Sequence, residues 1–421
     1  MSNALEAFSL IAKPLAERIF HEIRELSATP GGAGVTRLGY TAKEREVAAK
    51  LADFGRELGL IVERDAAGNL LMTLPGSDPS LPALFCGSHS DSVLDGGNYD
   101  GLAGIAAALA TAAALKAQGA PLRRSFTVAV IRCEEQGLIG SKAMMGQLTK
   151  DVLDCRWGEE LPTLRTLLIE EGLDPERLVD GRRAHNKPIG AFLELHIEQG
   201  LRLDRPQSPR VGIVTGIRGM FWHRNVVVRG QTAHAGAIDY AFRRDALAAA
   251  VSMLSEMNDR WHELAAKEED LVLTTGVFET KPTAAFNKIP GYVRFSLDMR
   301  SMNDSLLENF YGELRDCARR IERRDNVSFV FDAPGRTPAM ICDEHLMRML
   351  DESAASLAVP VLHEPSGAGH DAQTFALAGI PCAMVFIANQ NGSHNPREAI
   401  RMEDFLAGAA VLKETAARFC A

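Results

Sequence analysis

Apolar positions along this chain follow more than one rhythm. Residues 15–27 and 42–58 repeat them at helical spacing and read as amphipathic helices. Residues 59–76, GLIVERDAAGNLLMTLPG, read as two short strands about an Ala-Ala-Gly-Asn turn. Four further runs are nearly continuous: ALFC (83–86), SFTVAVIRC (125–133), IGAFLELHI (189–197) and PCAMVFIA (381–388). Runs of that kind suit strands buried on both faces. Helix-like stretches such as 102–119 and 344–357 alternate with them. The pattern predicts an α/β fold whose largely parallel sheet is covered by helices on both faces.

The rhythm changes between 213 and 333. A strand-like stretch (214–230), a helix from about Arg243 to Lys267, strands at 271–280 and 291–300, a helix near 303–322 and a strand at 326–332 follow in turn. That order predicts a small α+β unit with an antiparallel sheet. We place it as an insertion, so that 1–212 and 334–421 form one discontinuous α/β domain and 213–333 a second domain. A chain of 421 residues exceeds one ordinary core, as two domains require.

Composition narrows the function classes. With 46% hydrophobic and 24% charged residues the chain is an ordinary globular protein. Its net charge of −9 argues against general affinity for nucleic acid or an anionic membrane. No uncharged apolar run reaches the roughly 18 residues of a spanning helix. The first twenty residues lack a basic segment, a compact apolar core and a cleavage site in order, so no signal peptide is expected. Seven scattered cysteines, odd in number and without CxxC spacing, are expected as reduced thiols of a cytoplasmic protein.

Each of the four continuous runs leads directly into reactive side chains. After the first comes GSHSDSVLDGGNYDGLAG (87–104), with His89, Asp91 and Asp100; after the second, Glu134 and Glu135. The third carries His196 near its end, with Gln199 behind it, and the fourth leads to His394. Sites in open α/β sheets lie beyond the carboxyl ends of the strands. Convergence of His, Asp and Glu there suits Zn²⁺ or a similar cation, and a carboxylate can bridge two ions. Asp91, two residues from His89, is placed to accept a ring N–H and fix the tautomer. Each piece alone has a plainer reading: a hydrogen-bonded histidine, a solvated Glu pair, an Asp serving as a turn former. The joint pattern leaves both readings open.

The segments GSHSDSVLDGGNYDG, RCEEQGLIGS, LELHIEQG, GIVTGI, GQTAHAG, IPGYVRFSLDMR, PSGAGHDAQ and GSHNP resemble the amidase/hydantoinase–carbamoylase family, from about Leu38 to the C-terminus. That family lies within a wider group of two-metal aminopeptidases, carboxypeptidases and aminoacylases. The resemblance implies two divalent ions per chain (Zn²⁺, or Mn²⁺, Co²⁺ or Ni²⁺). His89 and His196 would share one, Glu135 and His394 the other, and Asp100 would bridge them. It implies Glu134 as general base, His234 as a donor to the oxyanion, and Gln199, Asn287, Arg300 and His370 as substrate-binding residues. It makes 213–333 a lid and homodimerisation domain. The implied reaction is hydrolysis of the C–N bond of an N-carbamoyl-L-amino acid or a related ureido acid. Allantoate or ureidoglycolate hydrolysis, a dipeptidase or deacylase on the same site, and a non-catalytic metal protein are the alternatives. Arg300 ends an alternating strand, so a surface arginine paired with Asp298 is the plainer reading there. One departure is specific: the family's HAGTTPM stretch reads His234-Ala-Gly-Ala-Ile-Asp-Tyr240, which exchanges a Thr-Thr-Pro turn for Ala237, Ile238 and Asp239.

Overall fold

The computed structural model describes residues 3–119, 121–156 and 161–421. It divides into two compact units, one formed by Met1–Thr215 with Ile341–Ala421, the other by Gly216–Met340.

The first unit is built on a mixed sheet. The strands Phe126–Ile131, Ala83–His89, Ile189–Ile197 and Cys382–Ile387 lie side by side in that order and are parallel. Every residue of the first, second and fourth is buried, which is why their sequences are continuous rather than alternating. Antiparallel strands extend the sheet on both sides. Leu70–Leu74 and then Ile61–Arg64 add to Phe126–Ile131, and Val211–Ile217 adds to Cys382–Ile387. The parallel part is therefore four strands wide. The run read as one strand over 214–230 is two, Val211–Ile217 and Gly219–Arg229, which break at Arg218 and join different sheets.

The helix Leu102–Gln118 is apolar all round and buried almost throughout. It contacts the sheet while the helices Asn3–Ser27 and Met402–Cys420 pack against it, so no face needs to be polar. Asn3–Ser27 runs straight through Pro14, twelve residues earlier than the periodicity indicated. Leu5, Phe8, Ala12, Ala16, Ile19, Phe20 and Ile23 form one buried stripe, which offsets the backbone bond lost at proline. Among the described residues no helix is long and apolar enough to cross a membrane. The seven cysteines are free, and all but Cys155 are buried.

The second unit has an antiparallel sheet in the order Phe278–Thr280, Tyr292–Ser301, Gly219–Arg229, Ser328–Phe331. Tyr292–Ser301 alternates strictly: Val293, Phe295, Leu297 and Met299 are buried, while Arg294, Ser296, Asp298 and Arg300 point to the other face. The buried side packs with the helices Ala246–Ala265 and Asp304–Asp325 in one core. A separate two-stranded ladder pairs Ala233–His234 with Lys288–Ile289.

Candidate metal centre

In the parallel run the chain lays down Ala83–His89, steps to Phe126–Ile131 on one side, and later returns to Ile189–Ile197 on the other. The strand order thus reverses between Ala83–His89 and Ile189–Ile197, and a crevice opens beyond the carboxyl ends at such a switch point. His89 ends one of these strands and His196 is the penultimate residue of the other, with their Nε2 atoms 3.4 Å apart. Both are buried.

The glycines of 96–104 bring Asp100 to the same place. Gly101 has φ of 68°, a left-handed conformation, and a Cβ there would meet the His89 ring at 2.5 Å. A Cβ at Gly104 would lie 2.3 Å from the Leu195 carbonyl, so the helix can sit against the sheet only with glycine at that position. Asp100 Oδ1 lies 3.3 Å from His89 Nε2 and 3.0 Å from His196 Nε2. Its other oxygen, Oδ2, lies 3.4 Å from His394 Nε2, which is itself 3.3 Å from Glu135 Oε2. Two groups of possible ligands result, His89–Asp100–His196 and Asp100–Glu135–His394, with Asp100 common to both.

Asp91 is wholly buried, and its two carboxylate oxygens accept the backbone N–H groups of Glu134 (2.9 Å) and Glu135 (3.1 Å). Its Oδ1 is also 3.4 Å from His89 Nδ1. It therefore holds the Glu pair as well as facing the histidine, a second function that its spacing from His89 gave no hint of. Glu134 Oε2 stands 3.9 Å from His89 Nε2. Gln199 donates from Nε2 to Asp100 Oδ2 at 2.9 Å. His370 packs its ring 4.4 Å from that of His196 and meets Ser366 Oγ at 2.9 Å, outside both ligand groups. Cys133, Gln199 and His394, all in loops that follow the parallel strands, have positive φ (57°, 62° and 58°). Non-glycine residues held this way mark loops that surrounding structure over-determines.

Supporting residues escaped the sequence reading. Arg37, fully buried, donates from Nε to the Ser90 carbonyl (2.8 Å) and from Nη2 to those of Asn98 (3.3 Å) and Asp100 (3.4 Å). Glu398 accepts from the Tyr99 and Asp100 amides and from Ser393 Oγ. Glu194 accepts from Ser88 Oγ (2.7 Å) and from the Ala372 amide (2.9 Å). Glu194 could have been found: it stands two residues before His196 on one strand, hence on the same face. Arg37 carries no such signal.

The electrostatics are those of crowded acids. Burial raises the Glu134 carboxyl well above its usual range; Glu135, Asp371 and Asp91 add to that and His89 opposes it. Burial, then Asp100, pushes Glu135 up to about 7. Asp100 is held well below its usual range despite burial, because His196, His394 and His89 face it. His394, hydrogen-bonded to Asp100, is pushed up to about 9. Divalent cations would relieve the repulsion among these carboxylates. Glu135 Oε1 and Gln199 Oε1 are buried without hydrogen-bond partners, as a ligand oxygen and its neighbour would be before a cation or substrate is bound. The donor set of imidazoles and carboxylates fits Zn²⁺ or another borderline divalent ion.

Three expected site residues lie in the second unit. His234 is exposed, and its Nδ1 accepts from the Gly236 amide at 3.2 Å. Asn287 meets the same turn through its carbonyl, which accepts from the Ala235 amide at 2.9 Å. Arg300 makes the pair that its alternating strand suggested, with Nε and Nη2 each 2.8 Å from an Asp298 oxygen.

With this geometry in view, comparison with known proteins gives one answer at two levels. Residues 74–418 match the model of peptidase family M20/M25/M40, and the chain belongs to that family. Within it, the chain is 35% identical over 402 residues to an N-carbamoyl-L-amino acid amidohydrolase of Geobacillus stearothermophilus, covering 94% of this chain and 95% of the relative. It is 33% identical over 373 residues to the allantoate amidohydrolase of Bacillus subtilis (87% and 88%). A solved amidase of the hydantoinase/carbamoylase family from Burkholderia multivorans superposes with a TM-score of 0.85 at 28% identity, over 96% of this chain and 98% of that one. The resemblance read from the motifs is borne out, and with it the expected class of enzyme, a hydrolase of carbon–nitrogen bonds other than peptide bonds.

Proposed function

We propose that this hydrolase binds two divalent cations and cleaves the C–N bond of an N-carbamoyl-L-amino acid or a related ureido acid, yielding an amino acid, ammonia and CO₂. The observation that carries the proposal is the Asp100 carboxylate, whose two oxygens face two different sets of ligand atoms. His89 and His196 would hold one ion, Glu135 and His394 the other, and Asp100 both. Bound there, the ions would supply Lewis-acid polarisation of a poorly electrophilic ureido carbonyl and lower the pKa of water.

The chain's own side chains do the rest. Glu134, fixed through its amide by Asp91, takes a proton from the attacking water and returns it to the leaving nitrogen. Burial raises the proton affinity of this carboxyl, which suits both transfers. Gln199 and His370 contact the substrate, Asn287 orients it and His234 donates to the developing oxyanion. Arg300, planar and paired with Asp298, binds the substrate carboxylate. Residues 213–333 act as lid and homodimerisation domain.

Glu134→Gln tests the base. Metal content should be unchanged and kcat should fall by roughly 10²–10⁴-fold; full turnover in the variant would refute the assignment. Ammonia release from carbamoyl amino acids, allantoate and ureidoglycolate, run beside acetyl and dipeptide forms, decides the substrate. Cleavage confined to the last two would move the chain to the deacylase or dipeptidase reading.

A further inference from the structure

His234 stands on a turn that has lost the Thr-Thr-Pro stretch of the resembling family, yet the turn is held. Its restraint comes from Arg243. The Arg243 guanidinium donates from Nε to the Ile238 carbonyl at 3.1 Å and from Nη2 to the Ala235 carbonyl. These two acceptors bracket Gly236 and Ala237, and Ala235 directly follows His234. The Asp239 side chain makes no capping bond to the short 3₁₀ turn after it, Tyr240–Phe242.

The base from which Arg243 reaches is itself anchored. The neighbouring Arg244 carbonyl accepts from the Gln231 amide at 2.8 Å, and the Ala246 amide donates to the Pro290 carbonyl at 2.9 Å. Asp245 caps the helix Ala246–Ala265 by accepting from the Leu247 and Ala248 amides. A Cβ on Gly230 would lie 2.0 Å from the Arg244 carbonyl, so the backbones meet there as closely as they can. The segment 243–246 is thus tied to the strand ends at 230–231 and at Pro290 and to a helix start. Its guanidinium spans to the two carbonyls, a geometry that a planar fork supplies and a lysine ammonium does not. On the far side, the Ala235 amide bonds to the Asn287 carbonyl. The turn is clamped between Arg243 and Asn287.

We propose that Arg243 is a positioning residue for His234: it fixes the turn so that the imidazole is presented in one orientation for the reaction. This rests on the reading that His234 acts on the substrate. Misplacing a catalytic group by about 1 Å can cost on the order of 10²-fold in rate.

The test uses the full-length, metal-loaded chain with Arg243→Ala, Arg243→Lys and His234→Ala, assayed for ammonia release and for amide hydrogen exchange. We expect both Arg243 variants to lose kcat by roughly 10–100-fold with KM changed far less, since the substrate contacts remain. Exchange protection should fall at Ala235 and Ala237 and stay unchanged along the helix Ala246–Ala265. Guanidinium ion at millimolar, non-denaturing concentration should restore part of the turnover of Arg243→Ala and none of His234→Ala. If the Arg243 variants keep wild-type kcat while His234→Ala loses it, the positioning role is overturned and the reading of His234 stands. If His234→Ala keeps full turnover, that reading falls, and the proposal with it. Loss in Arg243→Ala that guanidinium does not relieve, together with exchange raised along the whole helix, would show a structural defect and also overturn the proposal.

Discussion

His185 lies beside the sheet, stacked on Phe85 with ring centroids 5.5 Å apart, and its Nδ1 accepts from the Lys187 amide while Nε2 has no partner. Burial, with Arg183 and Lys187 nearby, holds this imidazole down at about 4. The unfolded chain therefore binds a proton below about 6.5 that the folded chain refuses until about 4, so stability falls as pH drops through that window. At about 1.36 kcal/mol per pKa unit the loss is roughly 3 kcal/mol. His185→Phe should flatten the slope of unfolding free energy against pH between 4 and 6.5, measured by urea titration. An unchanged slope would place the burden elsewhere. At this scale the sequence was informative wherever a reactive side chain sat at the end of a continuous apolar run, as His89, His196 and the Glu134–Glu135 pair do. It was silent on Arg37 and His185, whose importance comes from burial among residues distant in the chain.

The helix Ala42–Glu57 contributes more than packing. From its first turn the buried Glu44 accepts from the Tyr40 amide, Ser90 Oγ (3.0 Å), the Cys133 amide (3.1 Å) and Arg132 Nη2 (2.8 Å). One carboxylate thus ties a helix start to the loops beyond two central strands. Glu44→Ala would leave Arg132 fully buried, with Glu171 at 3.2 Å as its remaining carboxylate partner among the described residues. Breaking a buried pair costs about 3–5 kcal/mol, and Glu171 sets the expectation near 3. Urea unfolding of the variant at neutral pH checks this; a loss below 1 kcal/mol would show that Glu171 suffices. Elements were legible where their period was strong: Ile189–Ile197, Tyr292–Ser301 and Ala42–Glu57 begin and end within a residue or two of expectation. The short helices Ile139–Met145, Leu164–Glu170 and Pro175–Leu178 were not, because one or two turns carry too few apolar positions to set a period.

Across the molecule, the parallel strands and their switch point account for a site drawn from residues as far apart as His89 and His394. The second unit, with its antiparallel sheet and paired helices, carries His234, Asn287 and Arg300. Its proposed part in dimerisation predicts, by light scattering at micromolar concentration, twice the mass of one chain; a single-chain mass would remove that part of the proposal. The proposed chemistry depends on two ions sharing one carboxylate. Equilibrium dialysis of the chelator-treated chain against Zn²⁺, read by elemental analysis, tests it most directly. Two tightly bound ions per wild-type chain are expected, and weakening of both in Asp100→Ala. Binding of one ion or none, or an Asp100→Ala chain that holds two as tightly as before, would contradict it.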